Sequence, residues 1–157
     1  MKLNDFVIRD ALVPSLSATE RDDVVAELID ALVAAGATPA ELRDELIKEI
    51  VKREKNGSTG FGKGVGVPHV KHEKLPKMVA TIGISEPGVD FKALDKAPVH
   101  TVVLLLSPTD KPDEHLQAME NIFSNLQKDQ FRRFLRQTGS REAIVEVLQD
   151  ADAQRLG

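Results

Sequence analysis

Four histidines, one arginine beside a carboxylate and a run of glycines are the groups in this chain whose types and spacing can do chemistry. From Thr59 to His69 the sequence reads Thr-Gly-Phe-Gly-Lys-Gly-Val-Gly-Val-Pro-His. Glycine lets backbone N–H groups turn inward and approach a ligand closely, and Gly60, Gly62, Gly64 and Gly66 fall in this short stretch. Pro68 fixes its own φ and biases Val67 toward an extended conformation. Such a segment would hold the imidazole of His69 in a set direction beside a loop of exposed amides running from Thr59 to Gly66. A neutral imidazole near pH 7 can attack phosphorus without a costly deprotonation, so the chemistry suggested is phosphoryl transfer. The plainer reading is a histidine at a strand end after a Gly/Pro turn.

Arg53 lies in Lys52-Arg53-Glu54-Lys55. It either complements a helix dipole or offers a planar fork to a phosphoryl group. His115 follows Asp113-Glu114 in what reads as a first helical turn. There it is either a surface polar residue or a second imidazole kept neutral by the helix N-terminus. His72, with Glu73, forms a His-x-x-His-Glu cluster that raises a metal-site alternative, but Pro68 argues against helically aligned ligands, and the reading adopted includes no metal. His100, opening the apolar strand, reads as structural or edge-exposed. Lys63, Lys71, Lys74 and Lys77 form a solvated face that could steer an anionic phosphodonor protein. Arg132, Arg133, Arg136 and Arg141 read as a solvated helix face.

Composition narrows the classes. The chain has 157 residues, 41% of them hydrophobic, enough for one sizeable core. A net charge of −4 argues against a general nucleic-acid binder, and six Phe with no Trp or Tyr supply no stacking platform. The absence of cysteine excludes disulfides and thiolate chemistry. The N-terminal residues lack a signal-peptide apolar region and no apolar run reaches membrane-spanning length, so the expected location is cytoplasmic.

The elements that must position these groups follow from periodicity. Residues 7–13 read as a short strand. Ser17-Ala-Thr-Glu20 is a capping box opening a helix with Val25, Leu28 and Leu32 on its stripe, closed by Gly36. Thr38-Pro39-Ala40-Glu41 repeats the capping box before a helix carrying Leu42, Leu46 and Ile50 and stopping near Lys55-Asn56-Gly57. Met78–Ser85 alternates as a strand and Glu86-Pro87-Gly88 reads as a turn. Val99–Leu106 is almost continuously apolar, the pattern of a strand buried on both faces. Asp110–Glu114 signals a further helix start, with Leu116, Met119, Ile122, Phe123 and Leu126 on the stripe. Phe131, Phe134 and Leu135 make a shorter stripe, Ser140 caps a last helix carrying Ile144, Val147 and Leu148, and 151–157 is expected to fray. The fold class is α/β, a mixed β-sheet sandwiched between helices, with residues 1–150 as one domain.

The run Arg53-Glu54-Lys55-x-Gly57-Ser58-Thr59-Gly60-x-Gly62-x-Gly64-Val65-x-Val67-Pro68-His69 resembles the active-site signature of the fructose/mannitol-type enzyme IIA domains of the bacterial phosphotransferase system, and within them the nitrogen-regulatory proteins. The similarity continues through Val99–Pro108 and Asp113-Glu114-His115-Leu116 and covers roughly residues 5–150. The resemblance implies that His69 accepts a phosphoryl group at Nε2 from a histidine-containing phosphocarrier protein, that Arg53 contacts that group and that His115 hydrogen-bonds near it, with no cofactor. Two departures stand out: Gly66 replaces the usual alanine, which would loosen the backbone, and Val70 follows the histidine where a small residue is usual, which would narrow access or change the loop conformation. The competing readings are a sugar-uptake enzyme IIA that passes phosphate to an enzyme IIB, and a regulatory binding module indifferent to phosphorylation.

Overall fold

The structure, a computed structural model, describes residues 1–60 and 62–156. Phe61, inside the glycine segment, and Gly157 lie outside the described residues.

The nearly continuous apolar run in the middle of the sequence forms β4 (Val99–Pro108), and every other strand is placed by it. β1 (Val65–Gly66) and β2 (His69–His72) lie parallel to β4 on the same side. Their registers, Val65 opposite Thr101 and His69 opposite Leu105, are continuous, so residues 65–72 form one extended line interrupted only at Val67-Pro68. β3 (Val79–Val89) runs antiparallel along the other side of β4. Beyond β3, Val7 and Val13 each make a single parallel bridge, with a 3-10 turn at Arg9–Ala11 between them. The continuous strand expected over 7–13 is therefore two contacts with a turn between. The turn lets Ala11 accept a hydrogen bond from the Thr81 hydroxyl at 2.7 Å.

Side chains alternate across a strand, so one sheet feeds two cores. Val65, Val67, Val103 and Leu105 face one layer, with Ile122, Leu126, Phe131, Leu135, Ile144 and Leu148. These come from α3 (Pro112–Leu126), α4 (Asp129–Arg136) and α5 (Arg141–Asp152). Val102, Leu104 and Leu106 face α1 (Arg21–Ala34) and α2 (Arg43–Lys55). A mixed sheet between helical layers is what the sequence pattern implies.

The helix ends show where local signals win and lose. Gly36 has φ 73° and closes α1 as expected; its N–H bonds to Val33 and that of Ala37 to Leu32, the paired bonds of a Schellman motif. Ser140 caps α5 through the amide of Ala143 at 3.1 Å, also as expected. Neither predicted capping box forms. The amides of Ser17 and Ala18 bind the carboxylate of Glu27, and Glu20 stays extended because Thr19 and Arg21 hydrogen-bond to Asp90. α2 is preceded by a 3-10 turn at Ala40–Leu42, and the Thr38 hydroxyl is buried without a partner among the described residues.

Glu86-Pro87-Gly88 does not reverse the chain. It is an irregularity within β3, with Gly88 at φ 95° and its amide on the Ser85 hydroxyl. Leu116, expected on the core stripe of α3, is 58% exposed. The end expected to fray over 151–157 is instead packed through Leu156: α5 runs to Asp152, whose carboxylate accepts from the amides of Leu3 and Asn4, and Leu156 is buried.

Candidate active site

Strand alternation decides which histidines meet. His69 has the parity of Val65 and Val67 and faces the α3 layer, whereas Val70 and His72 turn to the α2 side. His115 is the fourth residue of α3, whose N-terminus sits beyond the C-terminal end of β4. The two rings come together with centroids 5.7 Å apart and planes inclined at 51°. His69 is half-buried and His115 buried.

Nδ1 of His69 lies 2.8 Å from the carbonyl oxygen of Val67. A carbonyl can only accept, so Nδ1 carries the proton and Nε2 keeps its lone pair. Pro68 serves this geometry: with no N–H it interrupts strand pairing, while its carbonyl still accepts from Leu105 and anchors the residue before the histidine. Nδ1 of His115 lies 2.6 Å from the hydroxyl of Ser107. Burial, then the neighbouring His69 and the Lys71 ammonium, pull His115 down to about 4, so it is neutral at pH 7. The opening turn of α3 adds a positive dipole end at the same place, whose first amides have no intrahelical acceptor.

Arg53 stands in the last turn of α2, exposed, with one guanidinium nitrogen donating to the carbonyl of Gly57 at 2.7 Å. Its neighbour Glu54 is buried and ties this end of α2 to the strand. Glu54 accepts from the amide of Thr59 at 2.8 Å and from the Thr59 hydroxyl, and that hydroxyl accepts from the amide of Val67 at 3.2 Å. A three-residue brace thus runs from the helix carrying Arg53 to the residue whose carbonyl orients His69.

The glycines have other tasks than surrounding His69. The extended run from Gly64 to His69, at roughly 3.3 Å per residue, places Gly64 about 16 Å from His69. Gly62, Lys63 and Gly64, with φ of 123°, 61° and 72°, turn the chain at that distant end, where Lys63 reaches Gln127 at 2.7 Å. The amide of Gly60 is used by the Ser58 hydroxyl at 2.9 Å, and both donors of Thr59 are used by Glu54. A Cβ on Gly66 would come within 2.9 Å of the Phe91 ring. Gly66 therefore admits Phe91 rather than loosening the backbone, and the segment brings strand and loop together over that ring. Val70 packs half-buried against the α1–α2 core on the opposite face from the imidazole of His69, so it does not narrow access.

His69 and His72 point to opposite faces and cannot share a metal. His72 instead lies near Glu45 and Glu49 of α2, with ligand atoms within 4.8 Å of one another. Its Nδ1 accepts from the amide of Lys74 at 3.0 Å, so Nε2 is protonated and donates to Glu45 at 3.2 Å. That tautomer presents no lone pair to a cation. Nδ1 of His100 bonds the Ser85 carbonyl at 2.9 Å, a structural use. Arg132 and Arg133 pair with Asp129, and Arg141 donates to the carbonyl of Leu12.

Sequence reasoning missed Ser107, Glu54 and the carbonyl of Val67 as parts of the site. Only Glu54 left a signal, as a carboxylate one residue from Arg53 in the motif.

The chain matches the family described as phosphoenolpyruvate-dependent sugar phosphotransferase system, EIIA 2, over residues 6–151. It is 32% identical over 148 residues to the nitrogen regulatory protein of Bradyrhizobium diazoefficiens, covering 94% of this chain and 95% of that one. It is 28% identical over 154 residues to the fructose-specific EIIABC component of Bacillus subtilis, covering 97% of this chain but only 24% of that protein. Its fold is shared with the nitrogen regulatory protein IIA-Ntr of Neisseria meningitidis, with TM-score 0.81 and 23% identity over 92% of this chain and 97% of that one. It is also shared with IIA mannitol of Escherichia coli, with TM-score 0.73 and 19% identity over 88% and 96% respectively. No helix among the described residues is long and apolar enough to cross a membrane. The chain belongs to the EIIA 2 family of the phosphoenolpyruvate-dependent sugar phosphotransferase system.

Proposed function

We propose that this phosphotransfer protein carries its phosphoryl group on Nε2 of His69, taken from a histidine-containing phosphocarrier protein in the cytoplasm and passed on to a regulatory target or an enzyme IIB. The observation that carries the reading is the Val67 carbonyl on Nδ1 of His69, which leaves Nε2 as the nucleophile beside a second, neutral imidazole. In-line attack by Nε2 on the donor's phosphohistidine forms one P–N bond and breaks another. The rest of the site then has only to position the group and neutralise it. His115 offers a hydrogen bond to a phosphoryl oxygen. The exposed guanidinium of Arg53 has one nitrogen on Gly57 and further N–H groups for the phosphoryl group.

The greater identity to a nitrogen regulatory protein than to a fructose-specific component, 32% against 28%, favours the nitrogen-regulatory branch. Sugar uptake is the second reading, supported by a shared fold with an enzyme IIA mannitol solved in complex with phosphorylated enzyme IIB mannitol. The test is incubation with phosphoenolpyruvate, enzyme I and either a nitrogen-type or a sugar-type phosphocarrier. Faster formation of acid-labile phosphoprotein with the nitrogen-type donor is expected. Equal or reversed rates would give the sugar branch precedence, and no label from either donor would end the phosphocarrier reading.

Replacing Arg53 with Lys is expected to slow transfer by about tenfold, because a point charge does not reproduce a planar fork. Stopped-flow transfer rates would show this, and wild-type rates in Arg53→Lys would remove the guanidinium from the site.

A further inference from the structure

Ser107 is fully buried near the C-terminal end of β4 and shares a strand face with Val103 and Leu105, toward α3. Its hydroxyl stands 2.6 Å from Nδ1 of His115, its hydrogen-bond partner among the described residues. A hydroxyl beside a ring nitrogen can donate or accept. Were Ser107 to accept from an Nδ1–H, its own proton would be shut in a buried site without an acceptor. Orphaned buried donors are rare and costly, whereas an oxygen with a spare lone pair is tolerated. Donation from Ser107 satisfies the hydroxyl proton and the Nδ1 lone pair together.

We propose that Ser107 is a positioning residue that donates its hydroxyl proton to Nδ1 of His115 and so fixes the Nε2–H tautomer of that ring. The two imidazoles are then held in opposite senses. The Val67 carbonyl takes the Nδ1 proton of His69 and leaves a lone pair at Nε2. The Ser107 hydroxyl fills the Nδ1 lone pair of His115 and leaves an N–H at Nε2. One ring is set as nucleophile and the other as hydrogen-bond donor before any partner arrives, so neither must exchange a proton with solvent during transfer. The value of this for catalysis rests on the phosphocarrier reading; the tautomer itself does not.

Long-range proton–nitrogen spectra of histidine-labelled protein at pH 7 read both tautomers directly, with His69→Ala and His115→Ala variants assigning the signals. The expected pattern is Nδ1–H for His69 and Nε2–H for His115. In Ser107→Ala the His115 signals should shift toward a mixture of tautomers while those of His69 stay, and transfer should slow about tenfold. Ser107→Thr, which keeps the hydroxyl, should restore both. An Nδ1–H His115 in the wild-type protein, or unchanged His115 signals in Ser107→Ala, would overturn the assignment. Expected tautomers in a protein that accepts no phosphate would uphold it and remove the phosphocarrier reading instead.

Discussion

His69→Ala is expected to take up no acid-labile phosphate, a loss of at least about 1,000-fold in transfer rate, because it deletes the atom proposed to carry the group. None of the other histidines stands in for it. His72 points to the opposite face and is held by Lys74 and Glu45, and His100 is bonded to Ser85. His115 is in the right place, but its Nδ1 is engaged by Ser107 and its ring is buried. The substitution should leave the fold intact. His69 is half-buried, and its lost hydrogen bond to the Val67 carbonyl is worth about 1 kcal/mol. An unchanged thermal melt beside an empty labelling lane is therefore the informative result. Label retained at the wild-type level would place the phosphoryl group elsewhere.

The orientation of the His69 ring was legible because Val67-Pro68-His69 combines an imidazole with the two residues that aim it. The sheet and its layers were legible because Val99–Leu106 is too apolar to be covered on one side only. The role of the glycines was not legible. Four glycines before a histidine read as an amide cradle, yet Gly66 is explained by the ring of Phe91, and Gly62 and Gly64 by a turn at the far end of the strand. Glycine marks where a side chain is forbidden without saying whether a ligand or a neighbouring residue forbids it. Val70 misled in the same way: alternation turns it into the α1–α2 core and away from the imidazole it follows.

The capping box at Ser17 failed because it competed with tertiary bonds, whereas the one at Thr38 gave way to a 3-10 turn at Ala40–Leu42. Pairing of Thr19 and Arg21 with Asp90 keeps the chain extended past Ser17. Ser107 was hidden inside an apolar strand, where nothing local distinguishes a hydroxyl that bonds a histidine ring from a tolerated one. Its significance depends on His115, which lies on another element.

His115→Ala should slow transfer by about 100-fold while still allowing His69 to be labelled on long incubation, since the nucleophile remains and a hydrogen-bond donor is lost. The same variant should change how stability depends on pH. Burial first, then His69 and Lys71, hold the His115 imidazolium at about 4 against an unfolded value of 6.5. Below 6.5 the unfolded chain takes up a proton that the folded protein refuses until about 4, so the wild type loses stability as pH falls through that window. The difference limits the effect to about 3 kcal/mol, reduced by the solvent that reaches the open side of the pair. Urea denaturation at pH 7 and pH 5 should show the loss in the wild type and a flatter profile in His115→Ala. Equal slopes in the two proteins would mean that His115 titrates normally and is not held neutral by its surroundings. Phosphorylation should act in the opposite direction. A negative group on His69 would attract a proton to His115, so the His115 titration should move up in the phosphoprotein. The neutral donor of the free protein would thus become a stronger partner for the phosphoryl group once it arrives.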